Sequence, residues 1–281
     1  MSSLSRGGGP YAFRQRPLEK RRQEMGVVIV PIVGHPVSQV QSPGLFNARF
    51  RDRGIDALMV GIDLAVDRVP QFIRALRDWR DTPGCVVTMP FKQEMAALVD
   101  VRSARAELLG AVNVIRRDAD GRLCADMLDG DGFLAAAADH GFTPAGRRAA
   151  IIGAGGAGSA IALALRDAGA DGVHVMDIVQ DRARALAARL GGPVSADLPD
   201  PGSLDLIVNA SQAGMDGATM PIAEDAMRLL RPDCLVAEMV TKPETTPFLA
   251  VALGLGLRVQ RGAETAAGQT EQLGRFLGLW P

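Results

Sequence analysis

Arg148-Ala149-Ala150-Ile151-Ile152-Gly153-Ala154-Gly155-Gly156-Ala157-Gly158 is the stretch on which the fold of this chain turns. A short apolar run with the length of a buried strand passes into glycines spaced G-x-G-x-x-G, then into an Ala/Leu-rich segment of helical period. Glycines at these positions allow a tight turn and let the backbone approach a pyrophosphate. The start of the following helix adds unpaired N–H groups and a partial positive charge. A glycine turn with no ligand is the bland alternative, but strand, turn, helix and following strand all stand here in order. That next strand, Val173-His174-Val175-Met176, ends at Asp177, which lies 19 residues beyond Gly158. A carboxylate at this offset accepts hydrogen bonds from an adenosine ribose and repels a 2′-phosphate. Ile178 offers no compensating cation, so the spacing favours NAD; Arg182 and Arg184, the nearest arginines, leave NADP as the lesser option.

Working outward, βα alternation continues through apolar runs at 206–208 and 235–239 and ends in a helix over 262–280. Upstream, strands are expected at 27–33, 57–63, 84–88 and 112–116, with helices between them. Ser42-Pro43 reads as an N-cap followed by proline at the first helical position, and 66–79 repeats apolar residues every three or four positions. The expected architecture is α/β: a first α/β unit over 26–130, a Rossmann-type unit over 131–265, and a terminal helix, 266–281, returning to the first unit. Residues 1–25, with Gly7-Gly8-Gly9-Pro10 and six basic residues against two glutamates, read as a mobile basic leader.

Composition narrows the function. A chain of 281 residues with 47% hydrophobic content can bury full cores, and a formal net charge of −1 argues against a nucleic-acid coat. No apolar run reaches the roughly 18 residues that cross a bilayer. Arg21-Arg22 ahead of the apolar run at 27–33 resembles an export signal, but Pro31 and the Gly34-His35-Pro36 turn make a buried strand the better reading. Cys85, Cys124 and Cys234 have neither disulfide-framework nor zinc spacing, and His35, His140 and His174 have no ligand spacing, so no metal is expected and a reducing cytoplasm is. The partner expected is a small molecule; oligomeric state stays open, a homodimer included.

Lysine occurs only at Lys20, Lys92 and Lys242, so 28 of the 31 basic residues are arginine. Lys92 follows a buried run and a proline-fixed turn in Gly84-Cys85-Val86-Val87-Thr88-Met89-Pro90-Phe91-Lys92. A lysine held in a cleft can give and take a proton when desolvation weakens its preference for charge. Its natural orienting partner is Asp129, in Met127-Leu128-Asp129-Gly130 at the junction of the two units. Taken singly, a solvated helix-start lysine and a capping aspartate are the plainer readings.

Taken together, these segments resemble the shikimate dehydrogenase family from about Val27 to Trp280. The family's G-N-P-x-x-H-S-x-S-P stretch appears as Gly34-His35-Pro36-Val37-Ser38-Gln39-Val40-Gln41-Ser42-Pro43, and its N-V-T-x-P-F-K stretch as Val86 through Lys92. Gly110-Ala111-Val112-Asn113-Val114, Met127 through Phe133, Asn209-Ala210-Ser211-Gln212-Ala213-Gly214-Met215, Thr246-Pro247-Phe248-Leu249, and Gly262 with Gln269 follow in register. The resemblance implies that Lys92 and Asp129 are the catalytic pair, and that Ser42, Thr88, Asn113 and Gln269 contact the substrate. It also implies that Met239 and Gly262 line a nicotinamide site. The activity implied is hydride transfer between a nicotinamide cofactor and a hydroxylated cyclic acid such as shikimate or quinate.

The departures matter as much. Positions where the family carries polar groups are Val40, Val86, Met127, Leu128 and Thr241 here, and the family's asparagine-arginine pair for the NADP phosphate is Asp177-Ile178. A substrate carboxylate against Val40 forfeits charge-assisted hydrogen bonds, at about 1–3 kcal/mol per missing partner. The expectation is an NAD-linked, divergent member of the family. A nucleotide-binding sensor without turnover is the alternative; the retained Lys92 and Asp129 weigh against it.

Overall fold

Two six-stranded sheets organise the chain. The computed structural model describes residues 27–281 apart from Gln39 and Leu198, so the leader read over 1–25 lies outside the described residues. The first half runs β1 (Val28–Gly34), α1 (Ser42–Asp52), β2 (Ala57–Asp63), α2 (Val69–Asp78), β3 (Gly84–Val87) and α3 (Lys92–Ala96). It continues through β4 (Val101–Arg102), α4 (Ala104–Leu109), β5 (Val114–Arg117) and β6 (Leu123–Asp126). Its sheet has the order β2-β1-β3-β5-β6-β4. β1 is parallel to β2 and β3, β5 is antiparallel to both β3 and β6, and β4 is parallel to β6.

The helix α5 (Asp129–Asp139) leads to β7 (Arg148–Ile152), α6 (Gly156–Asp167), β8 (Gly172–Met176), α7 (Gln180–Leu190) and β9 (Val194–Ser195). Then come β10 (Leu206–Asn209), α8 (Glu224–Met227), β11 (Leu235–Glu238), α9 (Pro247–Gly254), β12 (Arg258–Gln260) and α10 (Gly262–Phe276). The second sheet is wholly parallel, in the order β12-β11-β10-β7-β8-β9. The strand order reverses between β7 and β10, and ligands of such sheets bind outside the carboxyl ends of the strands at that point.

Packing explains why α5 and α10 join the halves. A β-carbon on Gly132 of α5 would stand 2.0 Å from Gln269 Cγ and 2.8 Å from its Cα, so glycine sets how closely α10 can lie. α10 then returns to the first sheet, where Leu273, Leu277 and Trp280 join Val30, Ile32, Phe46 and Phe50 in one apolar cluster. Phe46 and Trp280 rings are 5.6 Å apart, and Trp280 Nε1 donates to the Glu271 carbonyl at 3.1 Å. A larger cluster runs from Val33 and Phe91 through Phe133 of α5 to Ile161 and Val208. No helix of the described residues is long and apolar enough to cross a membrane.

Several boundaries differ from the sequence reading. Ser42 is the first residue of α1, not its cap; Gln41 holds that position without a side-chain bond, and its carbonyl receives Leu45 N–H at 3.2 Å. The segment 66–79 opens as a 3-10 turn, with α2 starting at Val69, because Pro70 is tolerated only in a first turn. The strand expected at 112–116 begins at Val114, since Val112 N–H is drawn to the Lys92 carbonyl at 2.9 Å. The terminal helix ends at Phe276, where Gly278 takes φ +69° and Leu279 N–H closes onto Gly274. β4, β6, β9 and β12 are strands without a counterpart in the reading.

Candidate active site

Asp129 opens α5 and is 3% exposed. Its Oδ1 accepts from Asn113 Nδ2 at 2.7 Å and from Gln269 Nε2 at 3.1 Å, and its Oδ2 accepts from Lys92 Nζ. Lys92 is the first residue of α3, carried there by the turn after β3 in which Phe91 N–H bonds to the Thr88 carbonyl. Asn113 is held in turn, because its Oδ1 accepts from Leu128 N–H at 2.8 Å. Three residues from three segments, Lys92, Asn113 and Gln269, thus converge on one carboxylate. Such over-determination fixes the carboxylate's orientation and, through it, the position of the amine.

The glycine turn meets this group. Gly153 has φ +109°, and a β-carbon on it would stand 2.8 Å from the Ala210 carbonyl oxygen. Around a β-carbon on Gly155, the residue preceding α6, nothing lies within 4 Å, so the start of that helix is open to a ligand. A β-carbon on Gly156 would lie 3.5 Å from Lys92 Cδ and 3.7 Å from Met127 Cε. Asp177 supports the same turn: Oδ2 accepts from Ala154 N–H and Oδ1 from Val179 N–H, both at 2.8 Å. Each carboxylate oxygen can accept a second bond, so ribose hydroxyls still have acceptors there. The residues present therefore fit a dinucleotide: an open helix start, close backbone at Gly153, Ala157 and Gly158 in the first turn of the helix, and a carboxylate beside them.

Met239 and Gly262 also meet, since a β-carbon on Gly262 would be 2.3 Å from the Val240 carbonyl oxygen and 3.0 Å from Met239 C. The sequence reading missed what holds that loop. Glu238, fully buried, accepts from Asn209 Nδ2 at 3.0 Å, from the Thr246 hydroxyl at 2.9 Å, and from Met239 and Val240 N–H, both at 2.9 Å. The available signal was an acid at the end of an otherwise apolar strand. Ser42 and Thr88 stand apart: among the described residues no hydrogen bond joins either to the Asp129 group, and Thr88 packs its methyl beside Gly34. Three of the positions that are apolar instead of polar, Val40, Val86 and Leu128, pack in the Phe46–Trp280 cluster.

The histidines are engaged elsewhere, His35 with Asp63 at 2.7 Å and His140 with Glu264 at 3.1 Å. Cys85, Cys124 and Cys234 are free and buried, and burial pushes the Cys85 thiol far above its ordinary range.

Residues 32–115 match the family model described as the shikimate dehydrogenase substrate binding domain. The chain is 36% identical over 244 residues to the shikimate dehydrogenase (NADP(+)) of Rubrobacter xylanophilus, covering 83% of this chain and 84% of that one. Among solved structures, shikimate 5-dehydrogenase from Thermus thermophilus in complex with NADP(H) and shikimate aligns with TM-score 0.81 and 30% identity, over 89% of this chain and 93% of that one. Quinate dehydrogenase from Corynebacterium glutamicum in complex with NAD aligns with TM-score 0.78 and 25% identity, over 89% and 93%. With a substrate-domain sheet, a Rossmann sheet and a helix returning between them, the chain belongs to the shikimate dehydrogenase family of nicotinamide-dependent oxidoreductases.

Proposed function

We propose that this protein transfers hydride between NAD and a hydroxylated cyclic acid of the shikimate or quinate type. The observation that carries the proposal is the Lys92 amine, bonded to Asp129 and lying with its stem against Gly156 of the dinucleotide turn. Residues 26–130 serve as the substrate unit and 131–265 as the cofactor unit. Gly153 through Gly158 would hold the pyrophosphate, Asp177 the ribose, and Met239 with Gly262 the nicotinamide. When bound, the nicotinamide supplies the hydride acceptor for an alcohol or the donor for a ketone.

The chain's own residues handle the proton and the pose. As a secondary alcohol becomes a ketone, its carbon loses hydride and its oxygen loses a proton, and Lys92 Nζ takes that proton. In the reverse direction the ammonium returns it to the alkoxide oxygen. Asp129 holds the amine in place and offers the substrate hydroxyl an acceptor; Asn113 and Gln269 hold Asp129. Ser42 and Thr88 contact the substrate from the first unit. The preference for NAD rests on Asp177, whose charge opposes a 2′-phosphate, and on the fully exposed Ile178 beside it. Buried free cysteines accord with a reducing cytoplasm.

Steady-state assays of the full chain with NAD and NADP against shikimate and quinate test the reading. NAD-linked turnover of one of these acids is expected; efficient shikimate turnover with clear NADP preference would overturn it.

A further inference from the structure

One buried acid takes no part in the proton transfer. Glu238 ends β11 and, like Asn209 and Thr246 around it, is 0% exposed. No lysine, arginine or histidine pairs with it among the described residues, and uncharged donors alone meet its carboxylate. Asn209 Nδ2 lies 3.0 Å from both oxygens, the Thr246 hydroxyl donates to Oε2 at 2.9 Å, and Met239 and Val240 N–H both donate to Oε1 at 2.9 Å. A carboxylate buried without a cation is unfavourable, and an apolar side chain would close the same strand end without that penalty.

The bonds of Glu238 fall on the ends of β10 and β11 and on the start of α9. Met239 N–H is shared with the Asn209 carbonyl at 2.9 Å, whereas Val240 N–H bonds Glu238 alone among the described residues. Val240 is also the residue on which α10 begins, since a β-carbon on Gly262 would stand 2.3 Å from its carbonyl oxygen. Asn209 Oδ1 accepts from the Ser211 N–H at 3.1 Å and from its hydroxyl at 2.7 Å, and Ser211 N would lie 3.0 Å from a β-carbon on Gly153. Thr246 caps α9 by accepting from Leu249 N–H at 3.3 Å. The Asp177 end of the glycine turn hangs on other bonds, those to Ala154 and Val179 N–H.

We propose that Glu238 is a positioning residue for the nicotinamide ring: by holding Met239 and Val240 it sets the wall that these residues form with Gly262. It touches no reacting atom. The proposal rests on the reading that this wall receives the nicotinamide, and it names the side chain on which the wall depends. A buried polar network orients its loop firmly only when every donor has an acceptor. Removing the acceptor loosens the nicotinamide half of the site and leaves the adenosine half, held through Asp177, as it was. Glutamine keeps one acceptor oxygen for the two amides, and the Thr246 hydroxyl can turn to accept from its N–H, so glutamine conserves the wall.

Isothermal titration calorimetry of the full chain with NADH and with ADP-ribose, which lacks the nicotinamide, tests it. Native protein should bind NADH at least about tenfold more tightly than ADP-ribose. Glu238→Ala, which leaves room for water among the stranded donors, should lose that advantage while its affinity for ADP-ribose stays within about twofold. Glu238→Gln should keep most of it. Equal binding of the two ligands by native protein would overturn the nicotinamide wall and the proposal with it. An advantage retained in the alanine variant would overturn the role of Glu238 alone. Loss of ADP-ribose binding in that variant, or a glutamine variant no better than alanine, would reduce Glu238 to a support of the fold and overturn the proposal as well.

Discussion

Lys92 and Gly156 meet across the two sheets: a β-carbon on the glycine would stand 3.5 Å from Cδ of the lysine. One residue opens α3 after β3 and the other opens α6 after β7, so the Lys92 stem and the glycine turn share a boundary. The amine and the far edge of the glycine turn can each be altered separately.

Lys92→Met keeps the aliphatic stem that packs on Gly156 and removes the amine. We expect kcat to fall by about 10²- to 10⁴-fold, the usual worth of a positioned acid–base group, with the NAD dissociation constant unchanged. Single-turnover kinetics and a fluorescence titration measure the two quantities. Undiminished turnover would remove Lys92 from the mechanism, and a native protein inactive on every candidate acid would favour the sensor reading.

Replacing Asp177 and Ile178 together by Asn and Arg removes a repelling charge and adds a cation where a 2′-phosphate would lie. The ratio of kcat/KM for NADP to that for NAD should rise by about tenfold or more, in line with one charge-assisted hydrogen bond. Paired assays at constant ionic strength decide it, and an unmoved ratio would separate Asp177 from cofactor choice.

Asn113→Leu leaves the Leu128 N–H and one Asp129 oxygen each short of a partner in a buried setting. The expected loss is about 1–3 kcal/mol of stability per uncompensated group, read as a lower urea midpoint with an unchanged slope. A change below about 0.5 kcal/mol would mean that water or Gln269 replaces the amide.

Glu238 supplies a pH signature. Burial pushes its carboxyl above the ordinary 4.5, against hydrogen bonds from Val240, Asn209, Thr246 and Met239 that act to lower it. The folded protein therefore holds this proton where the unfolded chain has released it. The stabilisation is fully present below about pH 4.5 and is lost as pH rises through the raised value. Urea midpoints measured from acid to neutral pH should show native protein losing ground to Glu238→Gln as pH rises; parallel profiles would contradict the assignment.

Much of this was readable from local chemistry. The strand at 57–63 is marked by a short apolar run, Ala57-Leu58-Met59-Val60, and the Gly153–Gly158 turn announces itself because few other residues fit its geometry. Lys92 and Asp129 were legible because lysine is rare here and an aspartate beside a glycine marks a junction. What stayed hidden was long-range. β4 spans only Val101–Arg102 and exists because β6 offers it a parallel edge, which no local pattern records. The Glu238 network joins residues 29 positions apart, and Gln269 reaches a carboxylate 140 positions away. The apolar replacements at Val40, Val86 and Leu128 were visible one by one, but their merging with Trp280 into one cluster required the fold.

The return of α10 sets an order on synthesis. Phe46 and Phe50 leave the ribosome early, yet the Leu273, Leu277 and Trp280 side chains that cover them arrive more than 200 residues later. Through most of translation the nascent first unit carries a greasy, unshielded face, and Asp129 waits for its last donor. Chaperones that seize exposed aromatics thus have a long interval in which to act, and the protein becomes competent only as its final helix docks.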